Sequence, residues 1–212
     1  MLSKRNILDA ALRVADRDGL GKLTQRRLAQ ELGVSPMATY RHFRDKDAIL
    51  SALLDHVIDP PALLGACAGP DLEEGLVALF RGIREIFVAH PALAPLAGTT
   101  GSLGDNALQV LERVLFWLRE EGVENQDALR LLHVLVSYAL GASLIAAAAT
   151  TAVPDARKRL ASLDLDDYPS VVGAAPELLR FPAEEPFDEH LRRLVKELLP
   201  PSLQLGADES TT

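Results

Sequence analysis

Residues 24–46 read TQRRLAQELGVSPMATYRHFRDK, and this stretch decides the fold. Thr24 suits the N-cap of a helix because its hydroxyl can accept a hydrogen bond from a free backbone N–H of the first turn. Leu28 and Leu32 follow at the spacing of one helical face. Gly33 can adopt the left-handed conformation that ends a helix. The pattern therefore predicts a helix of about two turns that closes at a glycine.

A second start signal comes directly after this glycine. Ser35 is a capping residue, and Pro36 fits the first helical position, where its missing N–H leaves no hydrogen bond unmade. The sequence predicts a short further helix over about residues 36–42. Two short helices joined by a tight glycine turn are typical of the helix-turn-helix, whose second helix enters the major groove of DNA. We place this motif at residues 24–43.

The residues on both sides of the motif complete a small helical head. From Lys4 to Arg17 the apolar residues recur at three- and four-residue spacing, which predicts an amphipathic first helix. Asp45 can cap a fourth helix, which we expect to end at the Pro60-Pro61 pair. These elements predict a DNA-binding domain over residues 1–58.

The recognition helix is expected to turn polar side chains towards a duplex. Thr39, Tyr40, Arg41 and His42 fall on its outward side, and Lys46 lies beside them. Arginine, lysine, threonine and tyrosine side chains supply contacts to phosphates and to base edges. The segment therefore predicts a surface that binds double-stranded DNA.

The same stretch resembles the TetR family of bacterial repressors. The resemblance rests on the Leu28-Ala29 pair, the Gly-Val-Ser turn at 33–35, the Tyr-x-His-Phe run at 40–43 and Lys46, three residues after that Phe. It covers residues 1–58, and beyond them only the helical layout is similar. It implies a three-helix head, a helical regulatory body, a homodimer, and release from a DNA operator when a small molecule binds.

The resemblance also implies roles for single residues. Tyr40 and Lys46 match the family's phosphate contacts, whereas His42 and Phe43 match residues that pack at the end of the recognition helix. The full set that the resemblance places at the DNA, with His42 at its edge, is Thr24, Gln25, Arg26, Arg27, Ser35, Pro36, Met37, Thr39, Tyr40, Arg41, His42 and Lys46.

Charge is divided unevenly along the chain. The whole chain carries a net charge of −8, but residues 1–58 hold ten Lys/Arg and seven Asp/Glu, a net of +3. The remainder holds twelve Lys/Arg and twenty-three Asp/Glu, a net of −11. Phosphate contact needs local rather than overall positive charge. The division suits a DNA-reading head on a body that does not bind DNA.

The sequence predicts neither an enzyme nor a bound cofactor or metal. The five His, the lone Cys67 and the scattered acids form no convergent set of nucleophile, base or metal ligands. The acidic run at 164–167 fits a solvated connector. One cysteine cannot form an internal disulfide, and the N-terminus has no apolar signal-peptide core. We therefore expect a cytoplasmic protein.

The rest of the chain predicts an all-α body, because no segment shows the period-two alternation of a strand. We expect a ligand-binding and dimerisation domain over residues 59–205 and a disordered tail over 206–212. Helices are expected at 73–89, 103–121, 127–150 and 184–199, with a connector at 151–183 that has room for short helices.

Leu131 to Ala149 is a run of 19 residues without a charge, close to the roughly 20 that cross a bilayer. No Lys/Arg cluster flanks it, and its small residues would let helices approach closely. The resemblance implies dimerisation through the last two long helices. We therefore expect this helix to be buried against its own body and a second subunit, with no membrane partner. Its small residues are Ala139, Gly141, Ala142, Ser143, Ala146 and Ala147.

An effector pocket is expected among the helices of residues 73–140. The layout resembles the subgroup that includes the tetracycline receptor, with Gly98-Thr99 in a loop. Leu79, Ile83 and Leu96 stand where that receptor has polar or aromatic drug contacts, which favours a largely apolar effector over tetracycline with magnesium. The candidate pocket side chains, whose helical spacing equally suits core packing, are Phe80, Phe87, Phe116, Trp117, His133 and Tyr138.

Other functions remain open from the residues alone. A DNA-binding regulator could act as an activator or without a ligand, and a helical enzyme or an interaction module would share the all-α composition. Affinity for DNA that falls steeply with salt separates the first class from the other two.

Overall fold

The structure is a computed structural model, and it confirms the all-α expectation. The described residues form α-helices and two short 3-10 turns, and they contain no strand. The tail at 206–212, Cys67 and the Gly98-Thr99 loop lie outside the described part of the chain. The residues that the structure describes are 2–66, 71–97, 103–184 and 186–200.

Four helices form the head, and they begin where the sequence predicts. Thr24 Oγ1 accepts a hydrogen bond from the Arg27 backbone N–H at 3.1 Å, and Gly33 ends the second helix in the left-handed conformation at φ 65°. Asp45 Oδ1 accepts from the Ala48 N–H at 2.8 Å, which lowers the pKa of Asp45. The helices are α1 (Lys4–Asp18), α2 (Gln25–Leu32), α3 (Pro36–Tyr40) and α4 (Lys46–His56).

The recognition helix α3 is shorter than expected. It ends at Tyr40, because the next turn tightens so that the N–H groups of His42 and Phe43 both donate to the Thr39 carbonyl. The end expected for α4 at Pro60 is also wrong. Helix α4 ends at His56, and Pro60 instead begins α5 (Pro60–Ala66), since proline is tolerated in the first turn of a helix.

The body is more helical than the sequence indicates. The connector expected at 151–183 is wrong for its first part, because α9 continues to Ala161, whereas the short helices expected within it are present as two further helices. Pro169 and Pro176 stand in the first turns of these two helices, where a missing N–H does no harm. The body helices are α6 (Leu72–Ala89), α7 (Ala94–Ala97), α8 (Asp105–Glu120), α9 (Asn125–Ala161), α10 (Pro169–Gly173), α11 (Ala175–Glu184) and α12 (Phe187–Leu198).

Two apolar clusters hold the fold together. In the body, α6, α9 and α12 pack around side chains such as Leu79, Leu135 and Leu191. The head cluster is built on α1, α2 and α4, but it also includes Phe87 and Leu93 from the end of α6 and the turn after it. The head core therefore continues into the body, and the division at residue 58 stays a prediction.

Two stretches, Lys46–Gly65 and Asn125–Ala148, are long and apolar enough to cross a membrane. The first is broken between α4 and α5, so it is not one continuous helix. The second is the start of α9, whose Leu131, Leu135 and Ala139 are buried in the body core. Core helices of soluble proteins have the same composition.

Candidate nucleic-acid interface

The inner side of α3 is part of the head core. Thr39, which the sequence places at the DNA, is fully buried, and its Oγ1 donates to the Pro36 carbonyl at 2.8 Å. Gln25 is buried too, and its Nε2 donates to the Phe43 carbonyl at 3.1 Å. The outward orientation expected for Thr39 is therefore wrong, and Gln25, expected among the DNA contacts, is turned into the head. The Gln25 hydrogen bond joins α2 to the turn after α3, and the Thr39 hydrogen bond lies within α3.

The outer side of α3 is open to solvent. Met37 is 68% exposed and Tyr40 49% exposed, and Pro36 and Arg41 are exposed as well. Met37, Tyr40 and Arg41 are separated by three and four residues, so they share one face of the helix. This face carries a phenol and a guanidinium beside apolar side chains, which suits contact with base edges and phosphates.

The two arginines at the start of α2 differ in their surroundings. Arg26 is exposed, whereas Arg27 is half-buried and pairs with Asp18 at 3.2 Å and Glu31 at 3.5 Å. Hydrogen bonds from Arg17 lower the pKa of both carboxyl groups, so these acids stay ionised near neutral pH. The charge of Arg27 is therefore shared with α1, and its expected DNA contact is left to the remaining N–H groups.

Lys46 is the first residue of α4. Its Nζ donates to the Leu20 carbonyl at 2.8 Å, which holds the ammonium group in place and leaves its other two N–H groups for a phosphate. His42 is half-buried at the end of α3. Arg44 was not among the expected contacts, yet its side chain is 88% exposed in this turn. The sequence signal for Arg44 as a DNA contact is its position within residues 24–46.

The surface that remains from the twelve expected DNA residues is well defined. Seven are exposed, three are half-buried and the two described above are buried. The exposed ones are Thr24, Arg26, Ser35, Pro36, Met37, Tyr40 and Arg41, and the half-buried ones are Arg27, His42 and Lys46.

Within the described part of the chain, the six side chains expected in the effector pocket do not line one common pocket. Phe80 is buried in the body core and Phe87 in the head core. Tyr138 stacks on Phe187 with ring centroids 5.1 Å apart. His133 is exposed on α9. Three of these four therefore pack against other residues, as the alternative interpretation of aromatic residues at helical spacing predicts.

The other two lie at α8. The Trp117 ring fills the space above Gly75 of α6, where a β-carbon would collide with it. Phe116 is exposed between the guanidinium groups of Arg113 and Arg119, each 5.4 Å from its ring. Phe116 borders an open groove of about 810 Å³ between α5 and α8. The groove is lined by Leu64, Asp105, Leu108, Gln109, Glu112, Arg113 and Phe116.

A set of hydrogen bonds joins this groove to the head. Asp55 of α4 caps the start of α8, since its carboxylate accepts from the Ala107 N–H at 3.0 Å and the Asn106 N–H at 3.3 Å. Asn106 Nδ2 donates in return to the carbonyls of Asp55 and Ile58 at 3.0 and 3.1 Å. A β-carbon at Gly104 would collide with Asp55, so glycine allows this approach. We call Asp55 and Asn106 the α4–α8 junction.

A short second helix whose outer face is exposed, held across a glycine turn against the first, defines a helix-turn-helix of the DNA-binding class. Two family models match: "Bacterial regulatory proteins, tetR family" at residues 7–53 and "Tetracyclin repressor-like, C-terminal domain" at residues 67–190. The chain belongs to the TetR family, as the motif predicts.

Curated relatives of this chain are named as regulators. An HTH-type transcriptional regulator of Saccharopolyspora erythraea is 31% identical over 66% of this chain and 59% of its own length. The repressor DrrR1 of Streptomyces coeruleorubidus is 30% identical over 67% of this chain and 53% of its own length. The matched part therefore spans little more than half of these two relatives.

Solved structures share the fold over nearly the whole chain. A possible TetR family regulator from Streptomyces coelicolor has a TM-score of 0.78 and 28% identity, covering 92% of this chain and 98% of that one. ActR of the same organism, in complex with (S)-DNPA, has a TM-score of 0.75 and 26% identity, covering 93% and 96%.

The burial of Thr39 makes a prediction. Thr39→Val keeps the side-chain shape but removes the hydroxyl, so it should lower the free energy of unfolding by about 1 kcal/mol, the usual worth of one hydrogen bond. Its DNA sequence preference should stay unchanged, because the side chain lies on the inner side of α3. Thermal unfolding and competition gel shifts measure the two effects. A changed sequence preference without loss of stability would show that Thr39 touches DNA.

Proposed function

We propose that this protein is a homodimeric transcriptional repressor that binds a palindromic operator and leaves it when a largely apolar small molecule binds the body. One observation carries the proposal: the exposed face of Pro36, Met37, Tyr40 and Arg41 on a recognition helix whose other side is locked into the head. Such a regulator meets its DNA in the cytoplasm and needs no membrane.

Charge and geometry support DNA as the partner. Residues 1–58 carry a net charge of +3 within a chain of net charge −8, and the arginines Arg26 and Arg41 of the helix-turn-helix are exposed. Lys46 is held by Leu20 with N–H groups to spare. A surface of this kind neutralises phosphates and releases counterions, so its affinity depends on salt. The named repressors among the relatives support repression rather than activation.

DNA binding is tested by gel shifts with the DNA that flanks the protein's own gene, repeated across salt concentrations. Lys46→Ala should weaken binding to every sequence and make the salt slope less steep by about 1. Tyr40→Phe should also weaken binding but leave the slope unchanged, because it removes a hydroxyl and no charge. Arg41→Ala should narrow the difference between specific and unrelated DNA.

Lys158→Ala, at an exposed position near the end of α9, removes the same charge as Lys46→Ala and serves as its control. It should leave affinity and slope unchanged. Wild-type affinity in all three head variants would reject the assignment of the interface.

The outer face of α9 supports a homodimer. Its inward residues, including Ala139, Ala142 and Ser143, are buried within the chain itself. The opposite stripe is exposed and uncharged from His133 to Leu144, which is 44% exposed. A β-carbon at Gly141 would meet no atom within 4 Å, so the backbone there is open to close approach. The apolar face of α12 is already buried in the body core of the same chain, so we assign the main dimer contact to α9.

Leu144→Glu should convert the dimer to a monomer, because it places a charge within an uncharged contact surface. The molar mass measured by static light scattering should fall from twice the chain mass of 22.9 kDa to the mass of one chain. The control is Leu108→Glu on α8, which has a similar exposure of 47% and should leave the dimer intact. A wild-type protein that scatters as a monomer without detergent would defeat the dimer proposal.

The α4–α8 junction supports coupling between an effector and the DNA head. Asp105 lines the groove beside α8, and its neighbour Asn106 is bonded to α4. A molecule that displaces the first turn of α8 must therefore disturb α4. ActR, bound to (S)-DNPA, shows that a relative with this fold takes a small molecule. An effector that favours a different separation of the two heads lowers operator affinity by linkage.

Asn106→Ala should weaken the coupling between the effector groove and the DNA head, and it should leave the effector site and the DNA site themselves intact. Apolar compounds that raise the melting temperature are selected first, by thermal shift. In the wild type, such a compound should lower operator affinity by about 5- to 150-fold. In Asn106→Ala it should raise the melting temperature as before but lower affinity much less. Asn125→Ala, exposed at the start of α9, is the control and should respond like the wild type.

A further inference from the structure

Met37 is the most exposed large apolar side chain in the part of the chain that the structure describes. It belongs to neither apolar cluster of the fold. A single exposed apolar residue needs no explanation by itself. Its position is what matters, because Met37 stands in the first turn of α3, on the face that it shares with Tyr40 and Arg41.

The burial of Thr39 and Gln25 reduces the number of side chains around α3 that can form hydrogen bonds with DNA. Because Thr39 of α3 and Gln25 of α2 are both buried, hydrogen bonding from the outer face of α3 is left to Tyr40 and to Arg41, which directly follows the helix. Pro36 and Met37 are exposed beside them and are apolar. About half of this face therefore cannot form hydrogen bonds with base edges.

The major groove offers one distinctive apolar group to such a surface. Each thymine presents its C5-methyl there, next to the O4 acceptor, and side chains read it by apolar contact. A methionine side chain is long, unbranched and polarisable, so it can adapt to a methyl group at the floor of the groove. Wedge insertion between bases belongs to minor-groove binders and does not fit a helix lying in the major groove.

We propose that Met37 reads thymine in each operator half-site by contact with the C5-methyl group. This inference rests on the proposed DNA-binding function and adds a specificity-determining residue to it. Specificity then comes from two sources on the same short helix, with Arg41 reading a base edge by hydrogen bonds and Met37 reading a methyl group.

Deoxyuridine tests the contact, because it keeps the base-pairing groups of thymine and lacks only the methyl. An operator is first selected from a pool of random duplexes with the wild-type protein. Duplexes in which each thymine in turn is replaced by deoxyuridine are then titrated with the wild type, Met37→Ala, Met37→Leu and Leu165→Ala. Leu165 is the matched control, since it is 60% exposed but lies in the body, far along the chain from α3.

At one position in each half-site, deoxyuridine should weaken the wild type and Leu165→Ala by about fourfold, the worth of one buried methyl group. Met37→Leu should retain much of this sensitivity, because it keeps an apolar side chain of similar size. Met37→Ala should bind the unmodified operator more weakly and lose nothing further at that position. The loss cannot come from misfolding, since the variant should keep the wild-type melting temperature at so exposed a site.

Two results overturn the inference while leaving DNA binding intact. In one, no thymine is sensitive to deoxyuridine although the wild type binds the operator tightly. In the other, Met37→Ala shows the same sensitivity as the wild type at every position. Failure of the random pool to yield any salt-dependent binding would instead overturn the proposed function itself, so the two failures are distinguishable.

Discussion

The packing of the inner side of α3 into the head is the constraint on which the DNA-binding surface depends. A helix of five residues is far too short to persist in water by itself. Its own residue Thr39 is buried in the head, and the Gln25 amide of α2 donates to the Phe43 carbonyl just after it. Because these contacts fix the rotation of α3, they also decide that Met37, Tyr40 and Arg41 face outwards together.

The same head is tied to the body in three ways. Its apolar cluster takes in Phe87 and Leu93, so the end of α6 is part of the head core. The α4–α8 junction adds a hydrogen-bonded cap between Asp55 and the first turn of α8. His90 beyond α6 also contacts Asp16 of α1, with Nδ1 and Oδ2 2.9 Å apart. Movements of α6 or α8 therefore reach the head directly, which is what coupling between two sites requires.

The sequence predicts local structure well and side-chain placement less well. The caps at Thr24 and Asp45 and the turn at Gly33 are confirmed, because each depends on neighbours within three or four residues. The all-α fold and the family follow from the same signals. Prolines give the segment after residue 150 the pattern of a connector, yet Pro169 and Pro176 stand in the first turns of α10 and α11, where helices tolerate them.

The wrong site residues have a physical reason too. In a helix of five residues the sequence pattern is too short to distinguish the inner side from the outer side, so it does not predict that Thr39 is buried. Aromatic residues at helical spacing face a core or a pocket equally well. Which of the two applies depends on tertiary partners, such as Gly75 for Trp117 and Phe187 for Tyr138, that lie far away in sequence.

The central claim is that the outer face of α3 lies against DNA, and Met37 offers a direct measurement of it. Its exposed sulfur should be oxidised readily by dilute peroxide in the free protein. A saturating amount of the selected operator duplex should slow this oxidation severalfold, with the chain's other methionine, Met1, as the internal reference. Equal oxidation of Met37 with and without bound operator would contradict the account.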